Sequence, residues 1–414
     1  MKKSLLFILI SLLPIMMFAQ EEPAFGIKFS GYVKTDIFWD SRQTVDIREG
    51  HFLLYPKPEM LDPDGNDINA KASYNFLNIQ SRIRLDIKGP DALGAKTSGA
   101  IEGEFFGMSD NDINGFRLRQ AYVKLNWKTT ELMIGQFWHP MFITSCYPDV
   151  VSFNTGAPFL VFSRNPQIRL TQDIKGFRII ATALSQLDFK STGPDGPSSK
   201  YIRNSAIPSL NLNLEYSKKN AEKGKEFLVG IAGNFKRLIP RIQTPKGYQT
   251  DQGINSFSGM AYMKLGFSKV AVKLAGLYGQ SMYDYTMIGG YVIIRDPDTL
   301  KGYETYENLT TMSLWAEVMT TGKKMQGGLF LGYSKNLGTQ DPFVITPVFA
   351  RGADISYLYR ISPRFIYNIN KLRLAPEIEY TVAAYGTISS MDGKVSNLKP
   401  VGNFRFLLGV YYFF

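Results

Sequence analysis

The sequence predicts an all-β fold: a transmembrane, antiparallel, up-and-down β-barrel of sixteen strands. Three observations predict it. Apolar and polar residues alternate with period two in many short segments along the chain. The connections between those segments are mostly long and mostly tight in turn. The last twelve residues, Asn403 to Phe414, read NFRFLLGVYYFF. Phe404, Phe406, Leu408, Val410, Tyr412 and Phe414 make one unbroken apolar face there, opposite Arg405, Leu407, Gly409, Tyr411 and Phe413. Such a strand would be an exposed sticky edge in a soluble protein, and it makes sense if it closes a barrel against the first strand.

Residues 1–19, MKKSLLFILISLLPIMMFA, join Lys2 and Lys3 to a short apolar run ending at Ala19. They are expected to be a secretory signal peptide cut after Ala19, too short to stay as a spanning helix. Gln20 rather than a cysteine follows, so no lipid anchor is expected. The remaining 20–414 is expected to be a single barrel domain, and the loss of two lysines takes the formal charge from +11 to +9. A soluble chain of this length would divide into domains, but no linker, low-complexity tract or charge run divides this one. Aromatics make up 14% of the chain, with 23 Tyr and 29 Phe. That suits a large barrel with an aromatic belt at each membrane interface. The single cysteine, Cys146, excludes an internal disulfide framework. A closed hydrogen-bonded wall is one alternative source of stability.

The sixteen segments are 27–39, 75–88, 96–107, 115–127, 130–137, 165–172, 175–184, 208–217, 226–237, 256–267, 270–280, 311–320, 325–335, 354–369, 371–384 and 403–414. The long connections are 40–74, 108–114, 138–164, 185–207, 238–255, 281–310, 336–353 and 385–402. The tight ones are 89–95, 128–129, 173–174, 218–225, 268–269, 321–324 and Asn370. Short turns at one end and long loops at the other describe an outer-membrane barrel, and a soluble sandwich or propeller has no reason to sort its loops this way. In the second segment Leu77, Ile79, Ile83, Leu85 and Ile87 alternate with Asn78, Gln80, Arg82, Arg84, Asp86 and Lys88; the eighth and fifteenth behave alike. The fourth is less regular: Arg117 and Arg119 share a parity with Val123, Leu125 and Trp127. Either a bulge shifts the phase there, or these arginines lie above the bilayer or at a subunit contact.

The leader, the segment GIKFSGYVKTDIFWD (26–40), the stretch GFRLRQAYVKLNW…ELMIGQFWHP (115–140) and the terminal GVYYFF together resemble a Gram-negative outer-membrane porin. They are most similar to the DcaP-like porins. That resemblance implies sixteen strands, a homotrimer and uptake of small anions such as dicarboxylates. The family's N-terminal coiled coil has no counterpart here, so a trimer is expected to rest on its walls. The resemblance also implies that Tyr412 and Phe414 form an assembly signal read by the outer-membrane barrel assembly machinery. It further implies that the third long loop, 138–164, folds into the lumen and narrows it. That loop runs from Trp138 and His139 to Arg164, is rich in apolar residues, and holds Asp149 as its only acid. A long apolar loop must pack against something; the wall, the barrel mouth and a neighbouring subunit all remain open.

Arginines and one lysine gather on the expected inner faces: Arg82, Arg84, Arg169, Arg178, Arg373, Arg405 and Lys264, with Arg117 and Arg119 if a bulge turns them inward. A positive channel neck concentrates anions, and guanidinium grips carboxylate in two places at once. Against this, Glu102 and Glu104 lie between the arginines of neighbouring strands and would form a cross-strand ladder that stiffens the wall. Loop one contains DPDGND (62–67), which lacks a bidentate glutamate at EF-hand spacing and reads as an ordinary turn. His51 and His139 are far apart in the chain, and no GxSxG device is present. No enzyme activity, cofactor, metal or nucleic-acid partner is expected. The function expected is passive diffusion of small hydrophilic solutes, anionic or neutral, across the lipid bilayer of a Gram-negative outer membrane. The alternative is a binding or adhesion barrel with a plugged lumen.

Overall fold

The computed structural model describes residues 25–220, 222, 224–294 and 298–414; the expected leader and its cleavage point lie outside them. Sixteen strands form the wall. They are β1 (Gly26–Asp40), β2 (Ser73–Leu77 and Arg82–Lys88), β3 (Lys96–Glu104), β4 (Arg117–Asn126), β5 (Thr130–Trp138), β6 (Arg164–Ile174), β7 (Phe177–Leu184) and β8 (Ser209–Asn220). The second half runs β9 (Lys225–Leu238), β10 (Ile254–Gly266), β11 (Val270–Gln280), β12 (Tyr306–Thr320), β13 (Met325–Gly338), β14 (Ile355–Ile369), β15 (Leu372–Ile388) and β16 (Val395–Phe413). Each pairs antiparallel with the next, and β16 pairs with β1 from Tyr32 opposite Phe413 to Asp40 opposite Arg405. The sheet is therefore closed and has no free edge in the wall. Phe414 donates its backbone N–H to Gly31 O at 3.2 Å. A Cβ at Gly31 would lie 2.7 Å from the Phe414 ring and 2.2 Å from Arg82 O, so only glycine lets the terminal ring close over β1.

The two faces sort as alternation demands. Leu210, Leu212, Ile378, Phe404 and Phe406 are exposed on the outside, while Asn211, Asn213, Glu215, Glu377, Glu379 and Arg405 are buried within. This is the reverse of a soluble sheet, and an apolar exterior around a polar interior fits lipid. Among the described residues no helix is long and apolar enough to cross a membrane.

The irregular fourth strand is a bulge. Glu102 faces Gln120 and Gly103 faces Leu118, so Arg119 is the extra residue. Arg117 and Arg119 consequently both point inward, while Leu118 and Val123 point out. Gln136 donates to Leu118 O at 3.2 Å and Arg119 O at 3.0 Å where the β4–β5 ladder stops.

Three expectations need correction. The turn expected at 173–174 is Lys175–Gly176, whose φ of 54° and 90° make the two-residue primed turn that matches strand twist. Most of the loop expected at 385–402 is strand: β15 and β16 run past the wall as a ribbon and turn only at 389–394. Ser396, Asn397 and Lys399 are exposed there, so the ribbon carries no apolar alternation to read. The loops at 40–74, 281–310 and 336–353 likewise hold short strands, Thr44–Ile47 with Phe52–Pro56, and Gly289–Ile294 with Phe343–Arg351.

Candidate functional site

The long loop after β5 lies inside the barrel. Trp138 stacks on Phe142 at 3.9 Å, and the guanidiniums of Arg119 and Arg164 lie over the Trp138 ring. Met141, Phe142, Ile143, Cys146, Phe153 and Phe159 are buried. The loop is gripped through its backbone by charges on the far wall. Glu377 of β15 accepts from Val151 N at 2.5 Å and from Ser152 N at 3.3 Å. Glu317 of β12 accepts from Asp149 N at 2.8 Å. Lys34 of β1 donates to Val151 O, and Lys273 of β11 donates to Tyr147 O, each at 2.9 Å. Wall charges thus satisfy backbone groups that an irregular segment buries away from water.

A second segment also enters, and the alternation of the wall strands does not announce it. The hairpin of loop one, Thr44–Ile47 with Phe52–Pro56, buries Phe52, Leu53, Leu54 and Tyr55. Its His51 meets Asp36 of β1 at 2.6 Å. Phe52 contacts Phe162 at 4.9 Å and Phe153 at 5.7 Å, and Phe153 stacks on Phe106 at 4.3 Å. The one available sequence signal is an apolar run, FLLY, inside a connection too long to need one.

The arginines fall into two overlapping groups, and Arg82, Arg84 and Arg119 belong to both. Around the loop roots they form a dry network. Glu104, fully buried, meets Arg119 at 2.6 Å, Arg117 at 2.7 Å, Arg82 at 3.2 Å and Arg164 at 3.7 Å. Glu102 meets Arg119 at 2.7 Å and Arg84 at 3.3 Å. Asp188, which the sequence analysis did not single out, joins Arg164 at 2.8 Å and Arg117 at 3.1 Å. Arg405 is likewise sealed, in a two-pronged pair with Asp40 at 2.6 and 3.0 Å. These arginines serve the wall and the loop roots.

The second group lines a vestibule at the turn end, beneath the inserted loop. It comprises three hollows of about 690, 450 and 510 Å³, all bordered by Thr144 of that loop. Arg82, Arg84, Arg119 and Arg373 border the first, against Glu102 and Asp149. Lys124, Lys128, Arg169 and Arg178 border the second, against Glu131, Asp173 and Glu215. Lys219, Lys225, Lys264 and Lys273 border the third, against Asp149 and Glu226. Cations outnumber acids in each. Arg178 pairs with Glu215, and Lys264 with Glu226 at 2.8 Å. Among the described residues no carboxylate lies within ion-pair distance of Arg169 or Arg373, which pack on Phe137 and on Phe413.

The remaining candidates sit elsewhere. His139 is buried, its Nδ1 accepts from Met141 N at 3.2 Å, and burial beside Lys236 and Arg169 pushes its pKa down to about 3. Burial pushes the Cys146 thiol up to about 12. Asp62 accepts from Asp64 N and Asn66 N at 3.0 and 2.8 Å, which is the self-contained turn the sequence predicted. Tyr412 and Phe414 are exposed on the apolar exterior.

No protein-family model matches the sequence, and no curated protein matches it. Several solved structures do share its shape. The outer membrane channel DcaP of Acinetobacter baumannii is 16% identical, with a TM-score of 0.69 over 94% of this chain and 98% of that one. OmpT of Vibrio cholerae in its trimer form is 10% identical, with a TM-score of 0.54 over 94% and 100%. An anion-selective porin from Comamonas acidovorans is 11% identical, with a TM-score of 0.53 over 94% and 100%. At these identities the likeness establishes the porin barrel as the fold, as the sequence resemblance implied.

Proposed function

We propose that this chain is an outer-membrane porin of a Gram-negative bacterium, a homotrimer that passes small hydrophilic solutes and prefers anions such as carboxylates. The observation that carries the reading is the vestibule beneath the inserted loop, where cations outnumber acids in every hollow. A low-dielectric wall focuses such a field, and guanidiniums without a fixed carboxylate offer weak, repeatable sites to a carboxylated solute. Arg169 and Arg373 fit that description best. The trimer draws on the OmpT trimer form and the anion preference on the Comamonas porin, each as a property of the similar protein. Transport is passive; the gradient drives it and no bond is made or broken.

Planar-bilayer recording tests the reading. Stepwise conductance is expected, with a reversal potential in a salt gradient that favours anions. Arg169→Ala with Arg373→Ala is expected to lower that anion preference about two- to fivefold, in keeping with removal of the two lining guanidiniums that have no carboxylate partner. Absence of conductance steps would exclude the porin, and a cation-favouring reversal potential would exclude the anion preference. The second reading, a binding or adhesion barrel with a plugged lumen, draws on the apolar packing around Phe52, Phe153 and Phe162. Liposome swelling in sugars separates the two, since a plugged barrel gives none.

A further inference from the structure

One ion pair on the inner wall touches both inserted segments. Arg360 of β14 and Glu379 of β15 are each about 1% exposed and lie 3.1 Å apart. Arg360 Nη2 donates to Leu54 O of the loop-one hairpin and Nη1 to Ala157 O of the long loop, both at 2.9 Å. Its Nε donates to Thr381 Oγ1 at 2.8 Å. Glu379 accepts from Asn154 Nδ2 at 2.8 Å, and that amide also donates to Leu53 O at 3.2 Å. Two segments far apart in the chain thus share one guanidinium, one carboxylate and one bridging amide. The other anchors are not shared. Glu377, Glu317 and Lys34 grip only the long loop; Tyr385, which donates to Pro56 O at 2.7 Å, grips only the hairpin.

We propose that the Arg360–Glu379 pair couples the loop-one hairpin and the long loop into one gate, which leaves the lumen as a unit. The flat guanidinium fork lets separate N–H edges serve carbonyls from two loops, which an ammonium cannot copy. If one loop withdraws alone, a buried charged donor loses its acceptor while the other loop still keeps water out. If both withdraw, water reaches the pair and replaces both acceptors. Joint exit therefore costs less than two separate exits, and the ring contacts of Phe52 with Phe153 and Phe162 act in the same direction. Calling the unit a gate rests on the porin reading; the coupling does not.

Two native reporters read it in detergent-folded protein, whether or not the barrel conducts. Modification of Cys146 by a membrane-impermeant maleimide reports the long loop, and tryptic cleavage after the buried Arg48 reports the hairpin. Both rates are measured across low urea concentrations, where each tracks the opening that exposes its site. In the native protein the two openings are expected to share one urea slope and one free energy. In Arg360→Met with Glu379→Gln, which removes both charges together, the two slopes separate and at least one rate rises about tenfold or more. Should that variant fail to fold, Asn154→Ala, which removes the bridging amide together with its oxygen's bond to Gly156 N at 2.9 Å, is expected to separate them in the same direction. Different slopes in the native protein would overturn the coupling, as would slopes that stay locked together in the altered proteins.

Discussion

The two halves of the barrel interior use the same residue types for different work. In the loop-end half, beside two inserted segments, Glu104 is completely buried and shared by four arginines. In the turn-end half Glu226 keeps about 19% of its side chain exposed and meets Lys264 and Lys219 at 2.8 and 2.9 Å. A carboxylate without water needs several donors to offset its desolvation; one in water needs none. The dry half therefore spends its arginines on structure, and the wet half leaves Arg169 and Arg373 without a carboxylate partner.

This contrast can be broken at four points, in falling order of effect. Glu104→Ala strips one carboxylate from four guanidiniums and is expected to lower stability by about 3–5 kcal/mol, read as a lower urea midpoint. A loss near that of a surface pair would mean water reaches the network. Phe52→Ala removes a ring packed on Phe153 and Phe162 and is expected to cost about 3 kcal/mol if the hairpin truly fills the dry half. An unchanged midpoint would place the hairpin outside the folded core.

His139 supplies a pH test of the same dryness. In place its ring is neutral, with a pKa pushed down to about 3 from the ordinary 6.5. Between those values the unfolded chain binds the proton and the folded chain does not. This contribution to stability is thus full above the ordinary value and is lost as pH falls through the window. Lowering the solution from pH 7 to about pH 4.5 is expected to reduce the melting temperature less in His139→Gln than in the native protein. Equal reductions would mean that His139 already meets water. Last, Glu226→Ala in the wet half is expected to change stability by less than about 1 kcal/mol. A larger loss would erase the distinction between the halves.

Much of the wall was legible in the sequence because it is periodic. A strand that faces lipid on one side and polar side chains on the other must alternate residue by residue, so β1 and β16 could be recognised and matched before any pairing was known. Where the period is interrupted, legibility stops. The bulge at Arg119 allowed two readings until the register of β3 against β4 separated them. The ribbon of β15 and β16 beyond the wall was read as loop because residues 396–400 are all exposed and carry no alternation. The candidate site was legible only as parity. Arg82 and Arg405 carry the same signal, yet Arg82 borders a hollow while Arg405 is sealed against Asp40.

Read alone, the residues specify a closed sixteen-strand wall, its apolar exterior, and the inward side of those strands whose alternation is unbroken. Alternation and turn chemistry are local, and each strand declares them within a few residues. Which inward charges are dry and which are wet follows from the packing of distant segments. That depends on where the loop-one hairpin and the long loop come to rest, and their apolar runs have no period that points to a partner. The partners, Arg360, Glu377 and Glu379, lie some two to three hundred residues further along the chain, and proximity across a lumen leaves no mark in the order of residues.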